Sequence, residues 1–505
     1  MRILNIITAL ALMLFFSNCK KYDELQVNPN SPSVSPAGNV LLGVELSMVE
    51  SPWSSTTRLA QFYALTEVYY GNQNYNWTTS SFDFDPLRNV LKMEEEAVRT
   101  GGTDLNPYLA IGKFFRAYFF ADMALTFGDV PLTDALKAKE NVFTPTYDSQ
   151  KEVYRQILKW LDEANTDLTA IIEGNPSASL AYDMYYGGDL TQWRKVVNSF
   201  RLRTLISLSK RADDTQDLNI KQQFADIVGN PTKYPIISSY EDDLQVTWID
   251  NPSNRNPNYS DNASLDIRAP IGQTYLELLK KYQDPRIFII ATPTDSAKNS
   301  GDPDYAKKFT SFRGANTGDA QVTMKNLATQ GKLSFGRPEY FATAKGDPTI
   351  LLGVSEVEFC IAEGINRGWA SGDAASHYWK GIQGSMDHYN EYSPNKIPDG
   401  DINSFKLLPS VVYAGNNSKG LLQILEQKYV AFFQNSGWQP FFEQRRTGVP
   451  VFLTGPGTES VGGVIPKRWM YPDSENQYNI VNLQKALDAQ YGGIDNVNNV
   501  MWLIK

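Results

Sequence analysis

Across its 505 residues this chain carries only two histidines and two cysteines. A zinc cluster, a disulfide framework or an HExxH helix cannot be built from so few. Basic residues are also short: 47 Lys and Arg face 56 Asp and Glu, a formal net charge of -9. A nucleic-acid binder ordinarily shows a basic excess or stripe instead. Charged residues make up 20% and apolar residues 42%, which excludes both an intrinsically disordered chain and a multi-span membrane protein. What the chain has in quantity is aromatic: 27 Tyr, 25 Phe and 10 Trp, 12% of all residues. Its length suffices for a large core and, by itself, for more than one domain.

The N-terminus has its own character. Arg2 is followed by an apolar run from Ile3 to Phe16, broken only by Asn5 and Thr8. That run is shorter than the ~20 residues a membrane span needs and suits a signal peptide. It closes in Ser17-Asn18-Cys19, with a single Cys directly behind the apolar stretch. This resembles the lipobox of bacterial lipoproteins, with Phe16 and Asn18 standing where the ideal pattern has Leu and a small residue. The following Lys20-Lys21-Tyr22-Asp23-Glu24 resembles the surface-export signal of Bacteroidetes lipoproteins. We therefore expect residues 1–18 to be a signal peptide, Cys19 the lipidated N-terminus, and residues 19–37 a flexible tether rich in Asn, Pro and Ser. The outer membrane, with the protein facing the exterior, is the expected location. Cys360 lies among Val357, Phe359 and Ile361 and reads as a buried small hydrophobe.

Helical periodicity dominates the body. Val40 to Tyr70 reads as one long helix with a possible break at Ser51-Pro52, and Pro86 to Arg99, Asn106 to Phe127 and Leu190 to Arg211 read as further helices. Tyr147 to Gln150 caps another, running to about Ile172. From about Asn230 the sequence turns rich in Pro, Asn, Asp, Ser and Gly, with short apolar runs and a helix near Gln273 to Lys281. Helices return at Val354 to Ala370, Asp373 to Tyr389, Gly420 to Asn435 and Val481 to Gln490. The fold class expected is all-α, with tetratricopeptide-like helical hairpins and a loop-rich excursion carrying short strands. Residues 38–505 read as a single body, its scaffold at 38–229 and 351–505 and its excursion at 230–350.

Five segments then fall in one order. They are Phe127-Gly128-Asp129-Val130-Pro131; Asp183 to Asp189 with Trp193 and Phe200-Arg201-Leu202-Arg203; Leu351 to Phe359 with Ala362-Glu363; Gln427-Lys428-Tyr429 with Gln444-Arg445-Arg446-Thr447-Gly448; and Pro466 to Pro472 with Glu475 and Tyr478-Asn479. Together they resemble the SusD/RagB family of nutrient-binding outer-membrane lipoproteins, in its SusD-like variant. The resemblance implies a tetratricopeptide-like scaffold with a loop-rich ligand face. It also implies a non-enzymatic, lid-like role on a SusC-like TonB-dependent transporter, with a glycan or a peptide as ligand.

The residues themselves suggest where a ligand would sit. Tyr69 to Trp77 places Tyr70, Asn72, Asn74, Tyr75 and Trp77 in one loop. Aromatic faces suit sugar C–H surfaces, and side-chain amides suit hydroxyls. Tyr75 and Trp77 are the residues expected to reach solvent. A second polar loop, Asp250 to Tyr259, offers Arg255 and Tyr259, whereas Trp53 and Trp248 read as core. Asp399-Gly400-Asp401-Ile402-Asn403 spaces oxygens like the start of a calcium loop, but Ser404 and Ser410 stand where Gly and Glu are needed, so a turn is the reading. Glu94-Glu95-Glu96 reads as a solvated helix face. Glu356 and Glu363 lie one heptad apart and would be the acid pair of a lipid-anchored glycoside hydrolase, the alternative to a binding protein; the family resemblance makes them structural ion-pair partners instead. A helical-repeat scaffold without a small ligand is the third reading. His377 and His388 are too far apart for one metal on a helix face. No cofactor is expected beyond that possible calcium, and no nucleic acid as partner.

Overall fold

The computed structural model of the chain describes residues 35–505 apart from 79, 102, 260–264 and 460–462. The expected signal peptide, Cys19 and most of the tether lie outside the described residues. The N-terminal half is built from α1 (Ala37–Leu46), α2 (Asp85–Arg99), α3 (Pro107–Phe127), α4 (Gln150–Gly174), α5 (Leu190–Ser207) and α6 (Ile220–Gly229). Helices adjacent in sequence pack side by side: α1 on α2, α2 on α3, α3 on α4, α4 on α5 and α5 on α6. The starts of α3, α4 and α5 are set by side-chain caps that satisfy free N–H groups of the first turn. Asn106 accepts from the amides of Tyr108 (3.0 Å) and Leu109 (3.1 Å), with Pro107 at the first helical position. Asp189 accepts from the amide of Thr191 at 2.7 Å.

In the excursion, β1 (Leu244–Val246) pairs antiparallel with β2 (Thr349–Leu352), with Leu244 opposite Leu352 and Val246 opposite Thr349. Between them lie α7 (Gln273–Tyr282) and α8 (Gln321–Thr329). The apolar run Ile287–Ile290 is a single helical turn. After β2 come α9 (Val354–Asn366), α10 (Ala374–Tyr392), α11 (Ser418–Ala431), α12 (Gln439–Thr447) and α13 (Ile480–Tyr491). One apolar core fills the N-terminal helices. A second, centred on Trp53, Phe62, Tyr275 and Phe433, fills the space under the excursion. Among the described residues no helix is long and apolar enough to cross a membrane.

Three expectations are corrected. The long helix over Val40 to Tyr70 is absent: after α1 only Ser55–Leu59 and a turn at Val68–Tyr70 are helical. Trp53 and Gln61 take left-handed backbone angles (φ 57° and 62°), and the chain from Phe62 to Thr66 lies against residues 268–272. Ala64 and Thr66 donate there to the carbonyls of Pro270 and Arg268, so inter-segment hydrogen bonds replace helical ones. Asp399–Lys406 is a helix, which carries side chains spaced i and i+2 to different faces and does not converge them as a calcium loop would. Glu94 and Glu96 are buried. Arg116 pairs with the first, and Lys92 (2.6 Å) and Arg99 (2.6 Å) pair with the second, leaving Glu95 alone exposed.

The quoted segments acquire physical reasons. The carboxylate of Asp183 accepts from the amides of Tyr185 (2.9 Å) and Gly188 (2.8 Å) and from the indole of Trp193 (2.9 Å), closing a turn and anchoring a core ring at once. Gly188 sits at φ 94°, and a Cβ there would stand 2.1 Å from Ser179 Oγ. Arg203 clamps Glu356 at 2.7 Å and donates to the carbonyl of Leu351 at 2.7 Å, joining α5 to β2 and α9. Arg446 holds Glu363 through bonds of 2.7 and 2.9 Å and also pairs with Glu443. Burial would raise the Glu363 carboxyl, but the Arg446 guanidinium overrides it and holds it down to about 2.

Glu45 is the opposite case. It is fully buried beside Asp183, and burial first, then the Asp183 charge, push its carboxyl up to about 9. The native state therefore keeps a proton that the unfolded chain releases near pH 4.5, so this group's contribution is lost as pH rises between those values. Two outcomes are expected. Glu45→Gln should flatten the fall in unfolding free energy between pH 5 and 9, a slope of up to ~1.4 kcal/mol per pH unit while it lasts, measured by urea titration. Arg446→Ala should cost about 3 kcal/mol, because Glu363 keeps only Arg367 (2.8 Å) and Glu443 only Lys428 (3.4 Å), leaving two buried carboxylates under-compensated.

Candidate ligand-binding face

The segment after Leu65 leaves the core, turns at Val68–Tyr70 and re-enters along an extended path. In an extended chain successive side chains point to opposite sides. Burial follows that parity: Gln73, Tyr75 and Trp77 are buried, while Asn72 and Asn76 are exposed and Asn74 is half-exposed. The expectation that Tyr75 and Trp77 reach solvent is therefore corrected. Tyr75 donates its hydroxyl to the carbonyl of Leu59 (2.8 Å) and is 1% exposed. Trp77 lies flat on Trp469 at 3.7 Å between ring centroids and 8° between planes. Both faces of each ring are thus taken up by protein packing or shut off from water in this conformation. The strict alternation of Asn72, Asn74 and Asn76 with Gln73, Tyr75 and Trp77 was the sequence signal for two sides, though not for which of them is buried.

The exposed ring of this segment comes just before. Tyr69 is 89% exposed and meets Tyr70 edge to face at 5.0 Å. Tyr70 is half-buried, and the Arg268 guanidinium lies 4.8 Å from its ring centroid. Glu67 fixes the arrangement: it pairs with Arg268 at 3.2 Å and with Lys325 of α8 at 3.3 Å, and these cations lower its carboxyl pKa. Gln321 of α8 donates to the carbonyls of Leu65 (2.9 Å) and Gly71 (2.8 Å), pinning the turn from beneath. Val68, Ile267 and Val322 are exposed on the same three segments. The result is a surface of tyrosine rings and aliphatic side chains around an ion triad, with Asn72 and Asn74 at its border. Asn72 accepts from the Asn74 amide (2.9 Å), and Asn74 donates to Glu459 (3.1 Å). Tyr69 opened the stretch singled out from sequence, whereas Glu67, Arg268, Gln321 and Lys325 were not singled out, because partners 200 and more residues apart leave no local trace.

The second loop is held by other partners. Asn256 donates to the carbonyl of Tyr340 (2.9 Å) and Asn258 to that of Pro52 (2.8 Å), both buried. Arg255 is exposed and stacks on Tyr259 at 5.2 Å. Trp53 is core, as expected, in contact with Tyr63, Tyr340, Phe341 and Phe433. Glu356 and Glu363 are each spent on a guanidinium, and Cys360 is buried with its thiol pushed up to about 12 by burial. An internal cavity of about 60 Å³, lined by Glu50, Tyr118, Asp122, Tyr154 and Arg203, has room for a few waters and not for a sugar ring. Among the described residues no group of three or more His, Cys, Asp or Glu is placed to hold a metal ion.

Comparison with known proteins gives the family and the fold. A SusD-like family model, described as starch-binding and associating with the outer membrane, matches residues 29–472. No protein in the curated comparison matches. Among solved structures, a candidate outer-membrane protein of Bacteroides vulgatus with a suggested role in nutrient binding shares 32% identity at a TM-score of 0.82, covering 93% of this chain and 100% of that one. A SusD homologue of Bacteroides fragilis shares 28% at 0.84, with 93% and 100% covered. A chitin-binding SusD homologue of Flavobacterium johnsoniae shares 22% at 0.69, with 93% and 98% covered, a likeness of fold.

Exposure separates the two kinds of tyrosine and tryptophan in a measurable way. Tyr69→Ala should leave stability within ~0.5 kcal/mol of the parent. Trp77→Ala should lower it by about 3–5 kcal/mol, since it empties a stacked core position; chemical denaturation of both variants checks the contrast.

Proposed function

Because this chain belongs to the SusD-like family of outer-membrane-associated nutrient-binding proteins, we propose that it captures oligosaccharide at the cell surface and passes it to a SusC-like TonB-dependent transporter. In this reading residues 1–18 are removed, Cys19 carries the lipid, residues 19–37 tether the body, and residues 38–505 act as one unit. Capture works by affinity alone, with no bond made or broken.

The observation that carries the reading is the Tyr69–Tyr70 face. Two adjoining rings, one almost fully exposed, meet the apolar faces of pyranose rings. Arg268 and the amides of Asn72 and Asn74 supply hydrogen bonds to hydroxyls. The ion triad at Glu67 holds the turn in place before ligand arrives, which limits the ordering cost of binding. Arg255, exposed, and half-buried Tyr259 form a second pair that would contact a longer chain.

Affinity electrophoresis of the full chain in detergent, through gels containing amylopectin or glycol chitin, tests this. Retardation by one of them is expected, weakened about tenfold in Tyr69→Ala/Tyr70→Ala, a loss of ~1.4 kcal/mol, without release of reducing ends. Unchanged retardation in the double variant would move the site elsewhere. Reducing ends released by the parent would replace binding with hydrolysis.

A further inference from the structure

A second concavity lies on the excursion, built from elements that take no part in the Tyr69 face. It is a groove of about 560 Å³ between the end of α7, the Tyr305–Ser311 segment and the Asp399–Lys406 helix. Ligand-binding concavities commonly fall in this size range. Phe288 and Phe309 form its wall, both half-buried, with ring centroids 4.9 Å apart and planes inclined at 54°. Phe405 and Leu408 continue the apolar surface. The rim is polar and mixes donors with acceptors: the Gln283 amide, the Ser404 hydroxyl, the Asp401 carboxylate and the exposed Lys307 ammonium. Among the described residues nothing engages the side chains of Gln283 or Asp401. Ser404 donates its hydroxyl to the carbonyl of Gly400 (2.7 Å), leaving its oxygen lone pairs toward other donors. Lys307 is tied to Asp304 at 3.3 Å. Gln283 occupies a left-handed position (φ 53°) that closes α7, where Gly or Asn is the usual residue.

We propose that this groove is a second glycan site that takes one neutral pyranose unit. A pyranose presents an apolar C–H face and a periphery of hydroxyl donors, and the groove offers ring faces inside a rim of carboxylate, amide and hydroxyl oxygens. The Asp401 carboxylate can accept from two neighbouring hydroxyls at once. The choice of a glycan rests on the function proposed above; the location and the groups that form the groove do not. Two separated sites on one body would also raise the avidity for polymers over that for short oligomers.

Hydroxyl-radical footprinting of the full chain in detergent, with maltohexaose and chitohexaose against equal glucose, reads both sites side by side. Protection of Phe288, Phe309 and Leu408 by one hexasaccharide is expected. Phe309→Ala should abolish it at Phe288 and Leu408 while protection at Tyr69 and Tyr70 persists. Asp401→Asn, which leaves packing untouched, should weaken groove protection about fivefold. Protection at Tyr69 and Tyr70 alone overturns the groove site and leaves the first reading standing. Protection in the groove alone overturns the first site, and protection at neither by either sugar overturns both.

Discussion

The structure hangs on charges taken out of water. Arg446 sits between Glu363 of α9 and Glu443 of α12, and Lys428 of α11 reaches Glu443 at 3.4 Å and the Cys360 thiol at 3.4 Å. All of these side chains are buried. An isolated charge in that position would cost several kcal/mol, so each must find its partner in one geometry. The network therefore fixes three helices relative to one another in a way that interchangeable apolar contacts would not. Arg203 extends the constraint to α5 through Glu356 and to the strand edge through the Leu351 carbonyl.

From there a chain of specific bonds runs to the ligand face. Next to Leu351, the Ile350 amide donates to Asn435 (2.9 Å) and the Ile350 carbonyl accepts from Ser436 (2.7 Å). The adjacent Gln434 accepts from the Trp53 amide (2.5 Å) and the Thr57 hydroxyl (3.1 Å). Trp53 fixes Tyr63 through its carbonyl (2.6 Å), and the strand-like stretch around Tyr63 leads directly to Tyr69. A binding turn on an otherwise irregular surface is thus registered to the most rigid part of the molecule. Loops that bind are most useful when a scaffold holds them in this way.

The abundance of aromatic residues is answered mainly in the interior. Trp53, Phe62, Tyr275, Tyr429 and Phe433 pack ring on ring in one core, and Phe114, Phe200 and Trp193 in the other. Large rings bury much area per residue and hold a core beneath loops too irregular to supply regular packing. Among the described residues few rings are strongly exposed, Tyr69, Tyr478, Phe143 and Tyr182 among them, and these stand out by exposure and not by residue type.

What the sequence determined by itself was whatever is encoded locally. Helix positions over 107–127, 150–174 and 190–207 followed from caps and from the 3.6-residue period, because a helix closes its hydrogen bonds within its own segment. The family followed from short segments whose residues serve one turn or one clamp, such as Asp183 with Trp193. The alternation of Asn72, Asn74 and Asn76 with larger side chains is local too, but which side of it faces the core was not legible, and Trp77, expected to reach solvent, is buried. Tertiary structure alone decided the rest. The stretch from Trp53 to Tyr70 has helical periodicity, yet its amides bond to residues 268–272, and no local pattern announces a partner about 200 residues away. The same holds for the face at Tyr69, which exists only where Glu67, Arg268 and Lys325 meet. Side-chain chemistry is written in the chain, but which side chains share a surface is settled by the packing of segments that are distant in it.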